Sequence, residues 1–179
     1  LSPTTAEHVA QQLGESIDLI IDGGRCPVGV ESTVLDLTTK PTLLRPGGIP
    51  VEEIEKLIGR VQILETSKKP RSPGQLTQHY APRTPLRILK NKNYAVAEGK
   101  KAGLLAFQTP DPIQKLPFKQ IEILSARGDL REAACNLFPC LHRLDQAGLD
   151  IIYAEPVPEV GLGRAIMDRL RKAQGIKLD

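Results

Sequence analysis

Apolar and polar residues alternate in the first 65 residues in a way that predicts both helices and strands. A helix is predicted to begin with Ser2 as N-cap and Pro3 in its first turn, and to end at Gly14. A second, short helix is predicted over Val51–Ile58, where apolar residues recur at helical spacing. Strands are predicted over 18–22, which we expect to be buried, and over 33–37, 42–45 and 61–64.

Beyond residue 85, predicted strands alternate with predicted helices. Five apolar residues recur at intervals of four and three, which predicts a long helix with one face on a sheet. They are Leu130, Ala134, Leu137, Leu141 and Leu144. Pro139 lies inside that helix, so we expect a kink or break there. A final helix is predicted over 164–173, and strands over 86–89, 102–107, 120–124 and 150–153. This alternation indicates a small α/β domain with a largely parallel sheet.

Proline and glycine interrupt both patterns between residues 66 and 85. Ser72-Pro73-Gly74 and Ala81-Pro82-Arg83-Thr84-Pro85 stop helix and sheet, so this segment is interpreted as a connector. Connectors of this length usually carry function or are disordered. The preceding residues are too few to bury much surface, so we interpret 1–65 as the end of a domain. The predicted organisation is therefore 1–65, a connector over 66–85, and a complete small domain over 86–179.

The composition is that of a globular protein. The chain has 179 residues, of which 40% are hydrophobic and 25% are charged. It contains no apolar run long enough to span a membrane and does not open with a basic-then-apolar signal segment. We therefore expect a cytoplasmic protein with no membrane partner. The chain begins at Leu1 and its single methionine is Met167, which indicates a processed protein or a piece of a longer one.

The cysteines and histidines argue against a disulfide framework and against a zinc site. Three cysteines are too few, and odd in number, for a network of disulfides, and we expect them to be buried thiols. The three histidines are His8, His79 and His142, and they do not have the spacing of zinc ligands. No protein-ligated metal is therefore expected.

The net charge of +3 is unevenly distributed. No acidic residue occurs over 66–97, whereas that stretch contains seven lysines and arginines, so the rest of the chain is net negative. The local excess suits an anionic ligand near the connector, and a solvated basic linker is the alternative. Nucleic-acid binding is a weaker third interpretation, because only 3% of the residues are aromatic and can stack on bases.

Two groups of polar residues near the start of the chain are candidates for ligand binding. Ser2, at the predicted helix start, combines a hydroxyl with free backbone N–H groups and so suits an anion, although capping is the commoner role. The glycine-rich segment 22–33 allows a ligand to approach the backbone closely. It offers the carboxylate of Glu31 and the hydroxyl groups of Ser32 and Thr33 to a small polar substrate. A hairpin with a polar end is the alternative.

Arg45 and Tyr80 are two further candidates. Arg45 ends a predicted strand before Pro46-Gly47-Gly48, and a guanidinium held by a rigid turn suits a phosphate clamp. A surface arginine beside an ordinary turn is the alternative. Tyr80, within the basic connector, has a ring that either covers a base or sugar or packs the connector onto a domain. The sequence shows no arrangement of the Ser–His–Asp type and no Walker-type loop.

Several motifs, in this order along the chain, resemble those of one known family. Four of them resemble the second half of the YrdC-type domain: Ser2-Pro3-Thr4-Thr5, Ile21-Asp22-Gly23-Gly24, Gly29-Val30-Glu31-Ser32-Thr33-Val34 and Leu44-Arg45-Pro46-Gly47. Ser72-Pro73-Gly74 with His79-Tyr80-Ala81-Pro82 is similar to the linker of the long, two-domain threonylcarbamoyl-AMP synthases, and 161–173 is similar to the end of their C-terminal domain. The resemblance covers essentially the whole chain.

The resemblance implies a fold and an activity. The fold would be the C-terminal part of a YrdC-type α/β twisted-sheet domain, a linker, and a small Rossmann-like α/β domain. The activity would be that of a nucleotidyltransferase, which converts L-threonine, bicarbonate and ATP to threonylcarbamoyl-adenylate and pyrophosphate. Other proteins would transfer the threonylcarbamoyl group to adenosine 37 of tRNA, and direct tRNA binding by this chain is left open.

The resemblance also implies particular site residues. ATP would be contacted by Ser2, Arg45 and Tyr80, and L-threonine by Ser32. Mg²⁺ would accompany ATP. The connector would then act as a lid that excludes water from a labile adenylate.

The resemblance also has a gap. The earlier half of the YrdC-type domain, with basic ATP-binding residues and a Ser-Ala-Asn segment, does not occur in this sequence. We therefore predict that the 179-residue chain alone lacks synthase activity. The alternative is a non-catalytic module that binds a nucleotide, RNA or a protein partner.

Overall fold

The computed structural model describes residues 1–63, 80–90 and 94–174. Most of the predicted connector, including Ser72-Pro73-Gly74 and His79, lies outside these ranges. The described residues form two sheets with four α-helices. They contain no helix long and apolar enough to cross a membrane.

The first sheet is small and mixed. Its strands are β1 (Val34–Asp36), β2 (Thr42–Arg45) and β3 (Gln62–Ile63), with β1 antiparallel and β3 parallel to β2. Helix α1 (Ala6–Leu13) precedes it, and α2 (Val51–Ile58) connects β2 to β3 as predicted. Its buried apolar residues are Leu43, Val51 and Val61. The described part of this sheet therefore encloses only a small apolar core.

The second sheet is parallel throughout, as predicted. Its strands are β4 (Leu86–Ile88), β5 (Ala102–Ala106), β6 (Gln120–Ile123) and β7 (Ile151–Ala154), in the order β4-β7-β5-β6. Helices α3 (Leu130–Gln146) and α4 (Leu162–Gln174) pack on it, and a short 3-10 helix spans Ile113–Lys115. The main apolar core lies between this sheet and the two helices. The α/β fold class is thereby confirmed.

The predicted start of the first helix, with Ser2 as N-cap, is wrong. Helix α1 begins at Ala6, and its N-cap is Thr5, whose hydroxyl accepts a hydrogen bond from the backbone N–H of His8. Ser2 and Pro3 lie before the helix, outside any regular element. Thr5 has the β-region backbone that an N-cap needs, and its side chain reaches the third residue beyond it. The argument that Ser2 uses the helix dipole is therefore wrong.

The predicted buried strand over 18–22 is also absent. These residues form no strand, and Leu19 and Ile21 are 77% and 85% exposed. Asp22 instead accepts a hydrogen bond on its carboxylate from the backbone N–H of Gly24, which makes a local turn. An apolar run becomes a strand only where a neighbouring strand pairs with it, and none pairs with this one among the described residues.

The structure differs from two expectations, that of a break in α3 and that of three buried cysteines. The helix runs unbroken through Pro139, which is buried on its core face, so no break occurs there. Of the three cysteines, only Cys140 is buried, and burial raises the pKa of its thiol to about 12. Cys26 is exposed and Cys135 is half-buried. They lie where the 25–29 segment meets α3, at the edge of the core and not within it.

Residues 1–30 pack against α3. Arg25 donates from Nη2 to the carbonyl oxygen of Cys135 at 2.7 Å and to Oδ1 of Asn136 at 2.6 Å. Gly29 has a φ of 79°, and a Cβ there would lie 2.3 Å from the carbonyl oxygen of Ala134. This close approach requires glycine. The glycine-rich segment is thus held against the C-terminal α/β unit.

Candidate functional site

Glu31 and Ser2 form one side of the candidate site. The hydroxyl of Ser2 donates to Oε1 of Glu31 at 2.8 Å. The backbone around Glu31 is fixed from the opposite side by the turn after β2, because Gly48 donates its N–H to the carbonyl oxygen of Glu31 at 2.9 Å. Ser2 is therefore placed by a hydrogen bond to the glycine-rich segment and not by a helix terminus.

Arg45 and Ser32 form the second side. Arg45 is the last residue of β2, and its Nε donates to the carbonyl oxygen of Ser32 at 3.1 Å while Nη2 donates to the Ser32 hydroxyl at 3.0 Å. Thr33 ties the same segment to the turn, since its hydroxyl donates to the carbonyl oxygen of Ile49 at 2.6 Å. A forked guanidinium beside a hydroxyl suits phosphate or carboxylate oxygens.

Tyr80, which belongs to the predicted connector, lies beside the same group of residues. It is 6% exposed, has a φ of 68°, and packs on Phe138 of α3 with the ring centroids 5.8 Å apart. Burial raises the pKa of its hydroxyl, although the nearby Arg169 acts in the opposite direction. A non-glycine residue in left-handed backbone is uncommon and costs free energy, so the surrounding contacts hold Tyr80 there.

Arg169 of α4 joins the two sides of the site. Its side chain is fully buried, and Nε and Nη2 donate to Oε2 of Glu31 at 2.9 and 2.7 Å. Nη1 donates to the carbonyl oxygen of Pro46 at 2.8 Å and to Oδ2 of Asp168 at 2.6 Å. The guanidinium carbon lies 5.1 Å from the centre of the Tyr80 ring, as in a cation–π contact.

The charge of Glu31 is stabilised by these contacts. Burial by itself raises the pKa of this carboxyl, but Arg169 and the Ser2 hydroxyl lower it by more, so that the pKa lies below its ordinary value. Glu31 is thus ionised at neutral pH and serves as the counter-ion of the buried Arg169.

The four residues singled out from the sequence therefore belong to one cluster. Ser2, Ser32, Arg45 and Tyr80 come from four separate segments, and they are connected through Glu31 and Arg169. Sequence reasoning noted Glu31 only as one carboxylate of a glycine-rich turn, and it did not assign Arg169 a role. The available signal was position, because Arg169 lies on the apolar face of α4 with Ile166, Leu170 and Ala173.

The residues that the structure describes contain no group of three or more His, Cys, Asp or Glu side chains that could hold a metal ion. Asp168 and Glu31, the carboxylates nearest the site, are engaged by Lys172 and Arg169.

The fold and the site define a class of protein. A parallel α/β unit is packed against a glycine-rich segment, and hydroxyl groups and a forked arginine converge where they meet. The chain is thus an α/β protein in which guanidinium and hydroxyl groups that suit phosphate or carboxylate oxygens lie together.

Comparison with known proteins identifies the family within that class. Residues 49–175 match the family model described as "Threonylcarbamoyl-AMP synthase, C-terminal domain", and residues 1–47 match the Sua5/YciO/YrdC model, described as "Telomere recombination". The chain belongs to the threonylcarbamoyl-AMP synthase family. The resemblance that its motifs indicated is thereby confirmed.

Individual relatives agree with this assignment. The chain is 40% identical over 198 residues to the threonylcarbamoyl-AMP synthase of Pyrococcus abyssi, which covers 99% of this chain and 55% of the relative. It is 38% identical over 187 residues to that of Bacillus subtilis, covering 97% of this chain and 54% of the relative. The chain thus spans about half the length of the curated relatives that it matches.

A solved structure shows the same fold. The crystal structure of P. abyssi Sua5 complexed with L-threonine matches with a TM-score of 0.82 and 41% identity, over 97% of this chain and 54% of that one. A second structure of the same P. abyssi protein, with two residues changed to alanine, matches with a TM-score of 0.79 and 39% identity, over 97% of this chain and 53% of that one.

Proposed function

We propose that this chain acts as part of a threonylcarbamoyl-AMP synthase, a nucleotidyltransferase that makes threonylcarbamoyl-adenylate and pyrophosphate from L-threonine, bicarbonate and ATP. The names of the relatives support the reaction, and the P. abyssi structure with bound L-threonine supports that substrate. The observation that carries the proposal in this chain is the contact between Arg45 and Ser32, at 3.0 Å from Nη2 to Oγ.

That contact matters because the two residues are assigned to different substrates. Arg45, with Ser2 and Tyr80, would bind ATP, whereas Ser32 would bind L-threonine. A guanidinium that touches the threonine-binding hydroxyl would bring phosphate oxygens next to the threonine carbamate. The protein's contribution to the reaction is then positioning, together with neutralisation of charge at the α-phosphate. No covalent nucleophile is needed for this step.

We further propose that 1–65 is part of a catalytic domain, 66–85 a linker that acts as a lid, and 86–179 a complete small domain. Exposed apolar side chains support the first assignment, since Leu19, Ile21 and Leu57 are 77%, 85% and 87% exposed. Leu19 and Ile21 are two residues apart, and exposed apolar side chains that lie together mark surfaces that another part of a protein covers. The chain by itself is accordingly proposed to lack synthase activity.

The remaining assignments follow from the same reaction. Mg²⁺ would enter as its complex with ATP, held by phosphate oxygens. The adenylate would pass to proteins that transfer the threonylcarbamoyl group to tRNA, and the protein would work in the cytoplasm. Binding of tRNA by this chain itself is not part of the proposal.

The proposal is tested by pyrophosphate release. The protein to assay is a longer one, which contains this chain and also the region that its relatives have and this chain does not span. This longer protein should release pyrophosphate from ATP when L-threonine and bicarbonate are supplied. The 179-residue chain alone should not release pyrophosphate under these conditions.

Arg45→Lys should weaken ATP binding in the longer protein, because one amine cannot replace the forked guanidinium. Lys40→Arg, on the loop before β2, is the control and should leave ATP binding unchanged.

Two results would contradict it. Pyrophosphate release by the longer protein that is independent of threonine would contradict the assigned reaction, and threonine-dependent release by the short chain would contradict its inactivity. An RNA complex whose affinity falls steeply with salt, without any response to ATP and threonine, would favour the RNA-binding alternative.

A further inference from the structure

Arg169 reaches out of the C-terminal unit and holds the segments that carry the proposed substrate contacts. Its hydrogen bonds end on Glu31, next to Ser32, and on the carbonyl oxygen of Pro46, next to Arg45. Its guanidinium lies over the ring of Tyr80. Each of these three segments contributes a residue that is assigned to ATP or L-threonine.

Burying the charged side chain of Arg169 costs free energy unless its guanidinium forms hydrogen bonds that offset the loss of water. The residue is 1% exposed and lies on the apolar face of α4, between Ile166 and Ala173. Burying a guanidinium removes its hydration, and a leucine at this position would avoid that cost. All three of its nitrogens donate hydrogen bonds, and only one of the acceptors, Asp168, belongs to its own helix. The other acceptors, Glu31 and Pro46, belong to the segments that carry the proposed substrate contacts.

The acceptors are themselves held in place. Lys172, one turn beyond Asp168, lies 2.7 Å from its carboxylate and fixes it in front of Nη1 of Arg169. Glu31 receives Arg169 on Oε2 and the Ser2 hydroxyl on Oε1. A rotation of the Glu31 carboxylate would therefore displace the Ser2 hydroxyl, so the two contacts are mechanically coupled.

We propose that Arg169 is the positioning residue through which the C-terminal unit sets the geometry of the substrate contacts at Ser2, Ser32, Arg45 and Tyr80. The assignment of these contacts to ATP and L-threonine rests on the proposed function. The link between Arg169 and the segments rests only on the hydrogen bonds seen in the structure. Arg169 touches no reacting atom in this account. It acts through Glu31, Pro46 and Tyr80, and it gives the C-terminal unit a direct role at the site.

The test is Arg169→Lys in the longer protein that carries the whole synthase. Lysine keeps the positive charge but cannot hold Glu31 and Pro46 at the same time. Arg171→Lys is the matched control, because it makes the same change on α4 in an ion pair with Glu159 at the surface. The readouts are kcat, the KM values for ATP and L-threonine, and amide hydrogen exchange over 29–34, 45–48 and strands β5 and β7.

The expected result has two parts. Arg169→Lys should raise the KM for ATP or L-threonine and lower kcat/KM by roughly 10- to 100-fold, because small displacements of positioning groups have effects of that size. Amide exchange over 29–34 and 45–48 should become faster, with β5 and β7 unchanged. Arg171→Lys should match the unsubstituted protein in both readouts.

Other results separate the possible failures. Unchanged exchange over 29–34 and 45–48 would overturn the proposal, as would a lower kcat with unchanged KM values, which a loss of folded protein alone produces. If the unsubstituted protein shows no turnover but Arg169→Lys still loosens these segments, the proposed function fails and the coupling stands. If Arg169→Lys does not fold, Glu31→Gln, which keeps the shape and removes the charge, is judged by the same criteria.

Discussion

At the scale of single residues, two histidines connect α1 to α3. The rings of His8 and His142 stack with their centroids 3.8 Å apart, and the backbone N–H of Thr4 donates to Nδ1 of His8 at 3.2 Å. Burial is the main cause that lowers the pKa of each ring, and for His8 the neighbouring His142 adds to it. The stacked pair is therefore a contact between neutral rings, and His8 must be unprotonated at Nδ1 to accept its hydrogen bond.

This contact predicts a loss of stability in mild acid. A histidine whose pKa is lowered in the folded state contributes stability that is present above its ordinary pKa of 6.5 and is lost as the pH falls below it. Between pH about 7.5 and 5 the urea midpoint of the chain should fall, and it should fall less in His142→Gln, which removes one ring of the pair. Urea unfolding followed by circular dichroism measures both.

Charged groups near the two histidines also shift their pKa values, so the unsubstituted chain must be compared with His142→Gln. Arg143 and Arg25 lower the pKa of His8 and Glu7 raises it, while Asp145 raises the pKa of His142. Carboxyl groups elsewhere titrate equally in the two proteins, so only the difference between them reports on the histidines. An equal fall of the urea midpoint in both would contradict the account.

At the scale of elements, the turn that follows β2 is packed directly on the glycine-rich segment. A Cβ at Gly47 would lie 2.3 Å from the carbonyl carbon of Ser32 and 2.4 Å from the carbonyl oxygen of Glu31. All the atoms that it would meet are backbone atoms, so no side chain can rotate away. The turn and the segment must separate if any side chain is introduced there.

Gly47→Ala should therefore destabilise the chain and disturb the site together. We expect a loss of about 1–3 kcal/mol in the free energy of unfolding, the usual cost of overpacking. Gly23→Ala is the control, because a Cβ there meets nothing within 4 Å. Thermal melts of both variants decide this, and equal melting temperatures would show that the turn is not tightly packed.

The elements also show what the sequence alone could predict. The four parallel strands and α3 were predicted from local patterns of apolar residues. Strands β5 and β7 are apolar runs, β4 and β6 alternate apolar with polar residues, and α3 has a clear apolar stripe. Residues 18–22 have an equally apolar run, but strand formation needs a hydrogen-bonded neighbour that local pattern does not reveal. The start of α1 was misplaced because Ser2 and Thr5 are both good N-cap residues and only the backbone distinguishes them.

The site was predictable in part for the same reason. Ser2, Ser32, Arg45 and Tyr80 were singled out because polar residues beside glycine and proline indicate binding loops, and because their motifs resemble a family. The contacts between them required the structure, since Arg169 and Glu31 are 138 residues apart in the chain. A charged residue on the apolar face of a helix was the one local indication of that contact.

At the scale of the whole molecule, the central claim is that this chain supplies part of a site where a threonine carbamate meets ATP. It belongs to the synthase family, and it spans about half the length of the relatives that it matches. Its C-terminal unit is joined to the proposed substrate contacts by a buried arginine. The activity is therefore expected of the longer protein, with both units contributing to the geometry of one site.

The incorporation of labelled bicarbonate tests this claim most directly. The longer protein is incubated with ATP, L-threonine and carbon-labelled bicarbonate, and the products are separated by chromatography and weighed by mass spectrometry. The account predicts a labelled product with the mass of threonylcarbamoyl-adenylate, formed only when threonine and ATP are both present. If ATP is consumed without any labelled adenylate, or if the label enters a product that lacks threonine, the account is contradicted.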